Sequence, residues 1–310
     1  MKIITEKEVE KSINLEEAFK FIEKSYADFS DGKTVTPATT SMEVNDGMFY
    51  SFPSFIKGRK VFISKQATDF RNNKKYGLPS VHPYILVFDS KTGILESIIE
   101  GRYFAAIRTS LSSAVGIKHF SEKPVKLAIL GTGVQGKTHA IVLSSLFKSI
   151  KEISVYSPTK KHRESCVKEL KKKLKVKLLC AESSEEAVKG ADIIICATTS
   201  SKPVFDNKDV KNDVLVVGVG AMKNDQEIPA ETMGEALVVV DAEKNIPMYD
   251  EIKIAKEKKF SVNVVGEMGE VINRKKSMIK GRKIVFKHHG LPVTDAALAE
   301  NILRKIGVLQ

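Results

Sequence analysis

The stretch LAILGTGVQGKTHA, residues 127–140, constrains the fold most strongly, because a glycine-rich turn follows an apolar run there. Gly131, Gly133 and Gly136 fit G-x-G-x-x-G, the pattern of dinucleotide-binding folds. The same stretch also fits G-x-x-x-x-G-K-T, the loop that binds ATP or GTP, which ends here at Thr138. Both patterns place backbone N–H groups at a helix N-terminus, where a phosphate binds. The loop alone predicts a strand, a turn and a helix around a phosphate, with two ligand classes open.

From Val125 onward, strand-like and helix-like segments alternate. The strand-like segments are VKLAIL, EISVYS, VKLLCA, DIIICAT, VLVVGVG, LVVVD and KIVFKH, and helices are expected from about Lys137, in RESCVKELKKKL and near SSEEAVKG. This alternation predicts a doubly wound parallel sheet of the α/β class. The helix and strand after the loop also complete a β-α-β unit of about 30 residues, as a dinucleotide-binding fold requires.

The rival interpretation, a nucleoside triphosphate loop, needs an apolar strand that ends in an aspartate and holds Mg²⁺. The run ALVVVDAE offers Asp241 in that place. Apolar strands ending in Asp are nevertheless common in α/β proteins, and the loop lies behind a separate N-terminal domain. The context favours a dinucleotide, with a nucleoside triphosphate and a bare glycine-rich turn as the alternatives.

The N-terminal part of the chain has a different pattern. The segment NLEEAFKFIEKSYADFSDGK is predicted to be a helix capped by Asn14 and stopped by Gly32. Strand-like pieces follow (GMFYSFPSFI, KVFISKQATDF and the hairpin PYILVFDSKTGILESIIEG), and then the helix RYFAAIRTSLSSAVGIKHF. We predict an α+β domain at residues 1–115, joined by a C-terminal helix at 294–310, and a nucleotide-binding domain at 116–293.

Composition narrows the possible partners. Fifty basic against thirty-eight acidic residues give a formal charge of +12, spread along the chain without an aromatic-studded basic stripe. This pattern predicts no nucleic-acid partner and a surface that attracts small anions. No apolar run is long enough to span a bilayer and no secretory signal is visible, so no membrane partner is expected. Three cysteines without C-x-x-C spacing are typical of a reduced, cytoplasmic protein, and the scattered histidines predict no metal site.

Seven segments, in their order along the chain, resemble one known family. They are SFPSFI…KVFISKQATDF, AAIRTSLSSAVGIKHF, LAILGTGVQGKTHA, ADIIICATTSSKPVF, VVGVGAMKNDQEIP, EMGEV and KHHGLPVTDAALA. Together they resemble the ornithine cyclodeaminase/mu-crystallin family of NAD(P)-dependent enzymes over nearly the whole chain. The resemblance implies a Rossmann-type domain and an N-terminal domain that carries the substrate pocket and the dimer interface. It also implies a homodimer, NADP or NAD as the cofactor, and a small amino or imino acid as the substrate.

The resemblance implies two substrate-binding cations. Lys65, in FISKQ, matches the family's substrate lysine and is expected to handle the proton at the imine nitrogen. Arg108, in AIRTS, matches its carboxylate-binding arginine, whose planar fork suits bidentate binding. A second arginine of the family, two residues after a proline, is replaced here by Thr39 in TPATT. The substitution puts a neutral hydroxyl into the predicted substrate site and leaves the usual substrate open.

The segment GVGAMKNDQEIP separates the members of the family by chemistry. Cyclodeaminases and archaeal alanine dehydrogenases carry an aspartate two positions after the last glycine, where this chain has Met222. Its acid, Asp225, lies instead where mu-crystallin-like ketimine reductases carry theirs, and we predict a catalytic role for it. The pattern favours an NAD(P)H-dependent reductase of a small imino acid such as Δ¹-pyrroline-2-carboxylate. An alanine-dehydrogenase-like or ornithine cyclodeaminase activity, or a non-catalytic NAD(P)-binding protein, are the alternatives.

Cofactor contacts are predicted from the geometry of the fold and from the family pattern. The predicted residues are Gly131, Gly133, Val134, Gln135 and Gly136 in the loop, Thr198, Thr199 and Gly220 on the nicotinamide side, and Gly290. An NAD-selective site usually has an acid at the end of the second strand, but ISVYSPTKKHR has none. Ser157 and Thr159, with basic residues after them, could hold a 2′-phosphate, so NADP is favoured over NAD.

Overall fold

The computed structural model describes residues 1–220, 226–274 and 281–309. Contacts between residues divide the chain into two compact units. Unit 1 consists of Met1–Arg108 and Gly290–Gln310, and unit 2 of Thr109–His289. Unit 1 is therefore built from both ends of the sequence.

The first elements in chain order are those of unit 1 up to the helix that leads into unit 2. They are β1 (Lys2–Ile4), α1 (Glu6–Ser12), α2 (Leu15–Ser30), β2 (Thr34–Val35), β3 (Thr40–Val44), β4 (Gly47–Ile56), β5 (Val61–Asp69), a 3₁₀ helix (Arg71–Tyr76), β6 (Val81–Asp89), β7 (Leu95–Glu100) and α3 (Gly101–Phe120). The predicted cap of α2 is confirmed, since the Asn14 side chain accepts a hydrogen bond from the Glu17 N–H at 3.0 Å.

The remaining elements belong to unit 2, except for the last helix. They are β8 (Lys126–Leu130), α4 (Val134–Leu146), β9 (Glu152–Tyr156), α5 (Lys160–Lys171), β10 (Lys177–Cys180), α6 (Ser184–Val188), β11 (Ile193–Cys196), β12 (Leu215–Gly218), α7 (Ala230–Glu235), β13 (Leu237–Val240), α8 (Asp250–Glu257), β14 (Asn263–Glu267), α9 (Met268–Ile272), β15 (Ile284–Lys287) and α10 (Pro292–Lys305). Short 3₁₀ helices lie at Asn207–Asp209 and Glu243–Met248.

The sheet of unit 1 has the strand order β1-β7-β6-β5-β4-β2, with β3 paired to β4. All of its pairs are antiparallel except β1 with β7. One face is buried by α10, which packs on β4 and β5 and against α2. Strand β5 alternates strictly between buried and half-exposed positions, so Lys65 points to the same buried face as Ile63 and Ala67.

The sheet of unit 2 has eight parallel strands in the order β10-β9-β8-β11-β12-β15-β13-β14. Strands β11, β12, β13 and β15 are fully buried, as is typical of a parallel sheet covered on both faces. From β8 the chain moves to one side, through β9 and β10, and then crosses to β11 on the other side. The strand order therefore reverses between β8 and β11, which is the point where such folds bind ligands at the carboxyl ends of the strands.

The predicted α/β doubly wound class is confirmed, and several details differ, since β1, β3, α1, α7, α8 and α9 were not among the predicted elements. Helix α4 begins at Val134, not at about Lys137, because Gly133 already serves as its N-cap. Strand β14 was not predicted, because its sequence NVVGE contains only two apolar residues before a glycine. No helix in the described part of the chain is long and apolar enough to span a membrane.

Candidate active site

Three buried charged side chains of unit 1 form a linked cluster. The Lys65 ammonium lies 2.6 Å from Oδ2 of Asp295, and Nε of Arg108 lies 2.8 Å from Oδ1 of the same carboxylate. The exposed fraction is 6% for Lys65, 4% for Arg108 and zero for Asp295. One carboxylate thus separates two cations in a place that water barely reaches.

Burial changes the proton affinity of Lys65. Loss of solvent lowers the pKa of its ammonium to about 8, although Asp295 counteracts part of that effect. The positive charge of Arg108 lowers it further. The ammonium also lies 4.5 Å from the centroid of the Phe52 ring, on the neighbouring strand. Lys65 can therefore exchange a proton close to neutral pH, which an ordinary surface lysine cannot do.

Arg108 retains unused hydrogen-bonding capacity. Its Nε donates to Asp295, while its Nη1 is buried and has no hydrogen-bond partner among the described residues. A buried guanidinium N–H without a partner is costly, so such a group is typical of a site that receives an anion. The planar fork with one side held by Asp295 is suited to bind a substrate carboxylate with the other.

Gly290 makes the position of Arg108 possible. Its φ of +96° lies in the left-handed region, and a Cβ there would collide with the Arg108 guanidinium. The sequence predicts a cofactor contact for Gly290, whereas within unit 1 the structure places it against the Arg108 guanidinium. Its cofactor contact stays a prediction.

Asp295 is the residue of this cluster to which the sequence analysis gave no role, although it ends the pattern Gly-Leu-x-x-x-Asp that begins at Gly290. It lies in the first turn of α10, where the helix dipole favours a negative charge. The available signal was the acid in the otherwise apolar start VTDAALA, which follows the Gly-Leu pair. Because 230 residues separate it from Lys65, no local pattern connects the two.

The other two residues predicted for the substrate site and the catalysis are Thr39 and Asp225. Thr39 is exposed and immediately precedes β3. Its predicted contact with substrate stays a prediction. Asp225 and Met222 lie outside the described residues, so the predicted acid has no structural description.

The glycine-rich loop of unit 2 has the three features of a dinucleotide turn. Gly131 has a φ of +116°, and its N–H donates to the carbonyl oxygen of Tyr156 at 2.9 Å, which continues the β8–β9 pairing one residue past the end of β8. Gly133 caps α4 without any side-chain hydrogen bond, and the space around its Cα is open. A Cβ at Gly136 would collide with the carbonyl of Gly131, so helix and turn pack closely there. The first-turn N–H groups, from Val134 onward, stay the predicted pyrophosphate donors.

The residues of the rival nucleotide pattern are engaged elsewhere. Lys137 forms an ion pair with Glu169 of α5, and the Thr138 hydroxyl donates to the carbonyl of Val134 at 2.8 Å. Asp241 is fully buried and accepts hydrogen bonds from Tyr249, Asn245 and two backbone N–H groups. It follows β13, which is separated from β8 by three strands. The fit to a Mg²⁺-dependent triphosphate loop is therefore a coincidence of sequence.

The turn after β9 presents hydroxyl and basic groups. Ser157 is half-buried and Thr159 is exposed at the N-cap of α5. Arg163 folds back, and its Nη1 donates to the carbonyl of Ser157 at 3.1 Å. Lys160 and Lys161 are exposed beside it. The second strand thus ends without an acid and with a surplus of positive charge.

The segments after β11 and β12 are joined by a carboxylate that sequence reasoning also missed. Glu227, fully buried, accepts hydrogen bonds from the N–H and the hydroxyl of Thr198 and from the N–H of Gly220. Burial raises the pKa of Glu227, while Lys287 and the Thr198 hydrogen bonds oppose that shift. The Thr198 hydroxyl therefore points inward, and Thr199 is the exposed one of the predicted pair.

His288, which directly follows β15, belongs to the interior of unit 2. The His288 ring is buried and its Nε2 lies 2.9 Å from the Ser113 hydroxyl, which also contacts Nε2 of His139 at 2.8 Å. Burial lowers the pKa of His139 to about 4, so this ring is neutral. Among the described residues, no group of three or more His, Cys, Asp or Glu side chains could hold a metal ion.

Comparison with known proteins identifies the family. The sequence profile of the Ornithine cyclodeaminase/mu-crystallin family matches residues 1–307. A Delta(1)-pyrroline-2-carboxylate reductase of Bacillus cereus is 28% identical, with 98% of this chain and 96% of that protein covered. The ketimine reductase mu-crystallin of Macropus fuliginosus is 30% identical, with 90% and 88% covered. The structure of Thermococcus litoralis Delta(1)-pyrroline-2-carboxylate reductase in complex with NADH and L-proline matches with a TM-score of 0.93 at 27% identity, covering 99% of this chain and 98% of that one. The chain therefore belongs to the ornithine cyclodeaminase/mu-crystallin family.

Proposed function

We propose that this protein is an NAD(P)H-dependent reductase of a small imino acid of the ketimine or Δ¹-pyrroline-2-carboxylate type. The observation that carries the proposal is the buried cluster of Lys65, Asp295 and Arg108, which combines a titratable ammonium with a partly unused guanidinium. The names of the relatives support the same chemistry. In this proposal unit 1 binds the substrate and unit 2 binds the cofactor through the loop at residues 131–136.

Reduction of an imine adds a hydride to the carbon and a proton to the nitrogen. A bound reduced nicotinamide supplies the hydride. Lys65, with a pKa of about 8, carries a proton at neutral pH and donates it to the nitrogen, where the product amine keeps it. Asp295 holds the ammonium in place, and the free side of the Arg108 guanidinium binds the substrate carboxylate.

A substrate screen tests the proposed function. Oxidation of NADPH and NADH is followed spectrophotometrically with cyclic ketimines, with pyruvate plus ammonia, and without substrate. Turnover of a ketimine supports the proposal. Reduction of pyruvate plus ammonia alone would replace it with an amino-acid dehydrogenase, and ammonia release from ornithine would replace it with a cyclodeaminase.

The turn after β9 supports NADPH as the preferred cofactor, because Ser157, Thr159 and the exposed lysines favour a 2′-phosphate. We expect Ser157→Asp to lower the ratio of kcat/KM for NADPH to that for NADH by about 10- to 100-fold, since a carboxylate repels the phosphate and accepts from a ribose hydroxyl. Lys168→Ala, which changes the charge equally at an exposed position of α5, is the control. An unchanged ratio in the Ser157 variant would contradict NADPH selectivity at this turn.

The face of the unit 1 sheet opposite to α10, called here the outer face, is the surface that supports the proposal of a homodimer. On that face Phe62 and Phe88 stack with their centroids 5.0 Å apart, and both are incompletely buried in the single chain. We expect Phe62→Glu to convert a dimer to monomers, measured by size-exclusion chromatography with light scattering, because a charge is costly in an apolar interface. Val125→Glu, at an exposed apolar residue of unit 2, should leave the mass unchanged. A wild-type monomer would refute the dimer.

The cysteines fit a cytoplasmic location. Cys166, Cys180 and Cys196 are free thiols. Burial raises the pKa of Cys166 to about 11. It also raises the pKa of Cys196 well above its ordinary value, and both thiols are therefore unreactive. These properties support a protein of a reducing compartment.

A further inference from the structure

Glu227 ties together two segments at the carboxyl edge of the unit 2 sheet. Its Oε1 accepts from the Thr198 N–H at 2.6 Å and from the Thr198 hydroxyl at 2.8 Å, directly after β11. Its Oε2 accepts from the Gly220 N–H at 3.0 Å, directly after β12. Backbone hydrogen bonds from Val204 to Glu227 and from Gln226 to Ser200 fasten the same two segments. Three donors from two segments thus converge on one carboxylate that has no exposure to solvent.

A second buried pair supports Gly220 from its other side. The Lys287 ammonium, at the end of β15, donates to the carbonyl of Gly220 at 2.9 Å and to Glu251 of α8 at 2.9 Å. The exposed fraction is 1% for Lys287 and 2% for Glu251. The N–H and the carbonyl of Gly220 are therefore both held by buried charged groups. Because removing one member of a buried charge pair is strongly destabilising, these contacts hold Gly220 in a single geometry.

The position of these segments in the fold indicates what they contact. A dinucleotide lies across the point where the strand order reverses, with its pyrophosphate at the loop after β8. The adenosine ribose contacts the end of the second strand, here β9. The nicotinamide half of a bound cofactor would therefore lie toward the ends of β11 and β12, after which come the two segments that Glu227 joins.

We propose that Glu227 is a positioning residue for the nicotinamide half of the cofactor, acting through Thr198 and Gly220. It does not itself touch the reacting atoms. The proposal rests on the proposed function and adds a residue that fixes the angle of hydride transfer. Affinity for the cofactor comes mainly from the loop at residues 131–136, so Glu227 should affect the rate more than the affinity.

Glu227→Gln is the informative substitution. A glutamine keeps the shape but turns its NH₂ group toward either the Thr198 N–H or the Gly220 N–H, so that two donors face each other. We expect kcat to fall by about 10- to 100-fold, as for a small misplacement of reacting groups. The dissociation constant for NADPH should change by less than about threefold, since the pyrophosphate contacts remain. The primary isotope effect measured with cofactor deuterated at the transferred position should increase, because hydride transfer becomes slower than product release.

The control is Val238→Ala, which destabilises the same sheet at a fully buried core position of β13. If Glu227→Gln matches this control in kcat and isotope effect, its role is structural and the proposal is overturned. A rise in the dissociation constant in proportion to the loss of kcat overturns it too. Should Glu227→Gln not fold, Thr198→Val removes one of the three donors, and an unchanged isotope effect in that variant overturns the proposal.

The same variant separates this proposal from the proposed function. If the wild-type protein reduces no imine, the proposed function fails, and Glu227 is then tested by the fluorescence of bound NADPH. The emission reports the environment of the reduced nicotinamide. A spectrum that differs between wild type and Glu227→Gln at saturating NADPH supports the positioning role, and identical spectra refute it.

Discussion

Lys65→Met is expected to lower kcat for imine reduction by about 10²- to 10⁴-fold, the usual contribution of a general acid. Methionine keeps the apolar stem beside the Phe52 ring and removes the proton donor. Asp295 still pairs with Arg108 in the variant, so no buried charge is left alone. The measurement is kcat with NADPH and Δ¹-pyrroline-2-carboxylate, together with the dissociation constant for NADPH, which should not change.

Lys60→Met is the matched control for this variant. Lys60 is exposed and directly precedes β5, the strand that carries Lys65. It changes the charge in the same way without touching the buried cluster, and should keep wild-type activity. A Lys65→Met enzyme with kcat within a few-fold of wild type would remove Lys65 from the mechanism.

Asp295→Asn is expected to shift the pH dependence of the reaction. In the wild-type enzyme kcat/KM for imine reduction should fall as the pH rises through about 8, because Lys65 loses the proton that it donates. Asp295 raises the pKa of Lys65, while burial and Arg108 lower it. Without the carboxylate charge only the lowering effects remain, so the fall should begin at a lower pH. In the direction of amine oxidation, which needs neutral Lys65, activity should rise over the same range.

The same substitution should reduce stability. Two buried cations lose their shared counter-charge, which typically costs about 3–5 kcal/mol of unfolding free energy. Urea unfolding of the wild-type protein and the variant at pH 7 measures this loss of unfolding free energy. Glu300→Gln is the control, because Glu300 lies on the same helix, is 3% exposed and pairs with Arg59 and Arg304. The Glu300→Gln variant should have a lower free energy of unfolding and the same pH dependence of kcat/KM as the wild-type enzyme. If Asp295→Asn also kept that dependence, Lys65 would not be the titrating group.

The parts of the molecule that local sequence determines could be predicted. The conformation of the glycine-rich loop could be predicted from its glycines, because Gly131 and Gly136 occupy positions where a side chain would collide. The alternation of apolar strands and helices indicates a doubly wound sheet, because buried parallel strands read as continuous apolar runs. Lys65 is conspicuous in the sequence because a lysine on the buried face of an alternating strand requires a reason.

The partners of these residues could not be predicted from local patterns. Asp295 reaches Lys65 from 230 residues away, and it lies in a helix whose sequence is typical of an ordinary amphipathic segment. Glu227 follows a polar stretch and precedes Ile228 and Pro229, so nothing in its neighbourhood indicates burial. Its role depends on where the ends of β11 and β12 meet, which is a property of the strand order. Which charged residues pair over long distances depends on the topology of the fold. Local sequence patterns predict the fold class but not these individual contacts.

The assembly of unit 1 from both ends of the chain has a consequence for biosynthesis. Lys65 and Arg108 leave the ribosome 230 and 187 residues before Asp295 does. Until then the nascent chain contains two cations that are buried in the folded protein, and it still lacks their counter-ion. Burial of these cations in the sheet of unit 1 is therefore costly at this stage. Translation that stops before α10 therefore yields a chain that lacks both a helix covering the sheet and the charge that neutralises its site. The cluster of Lys65, Arg108 and Asp295 can therefore form only after α10 has been synthesised.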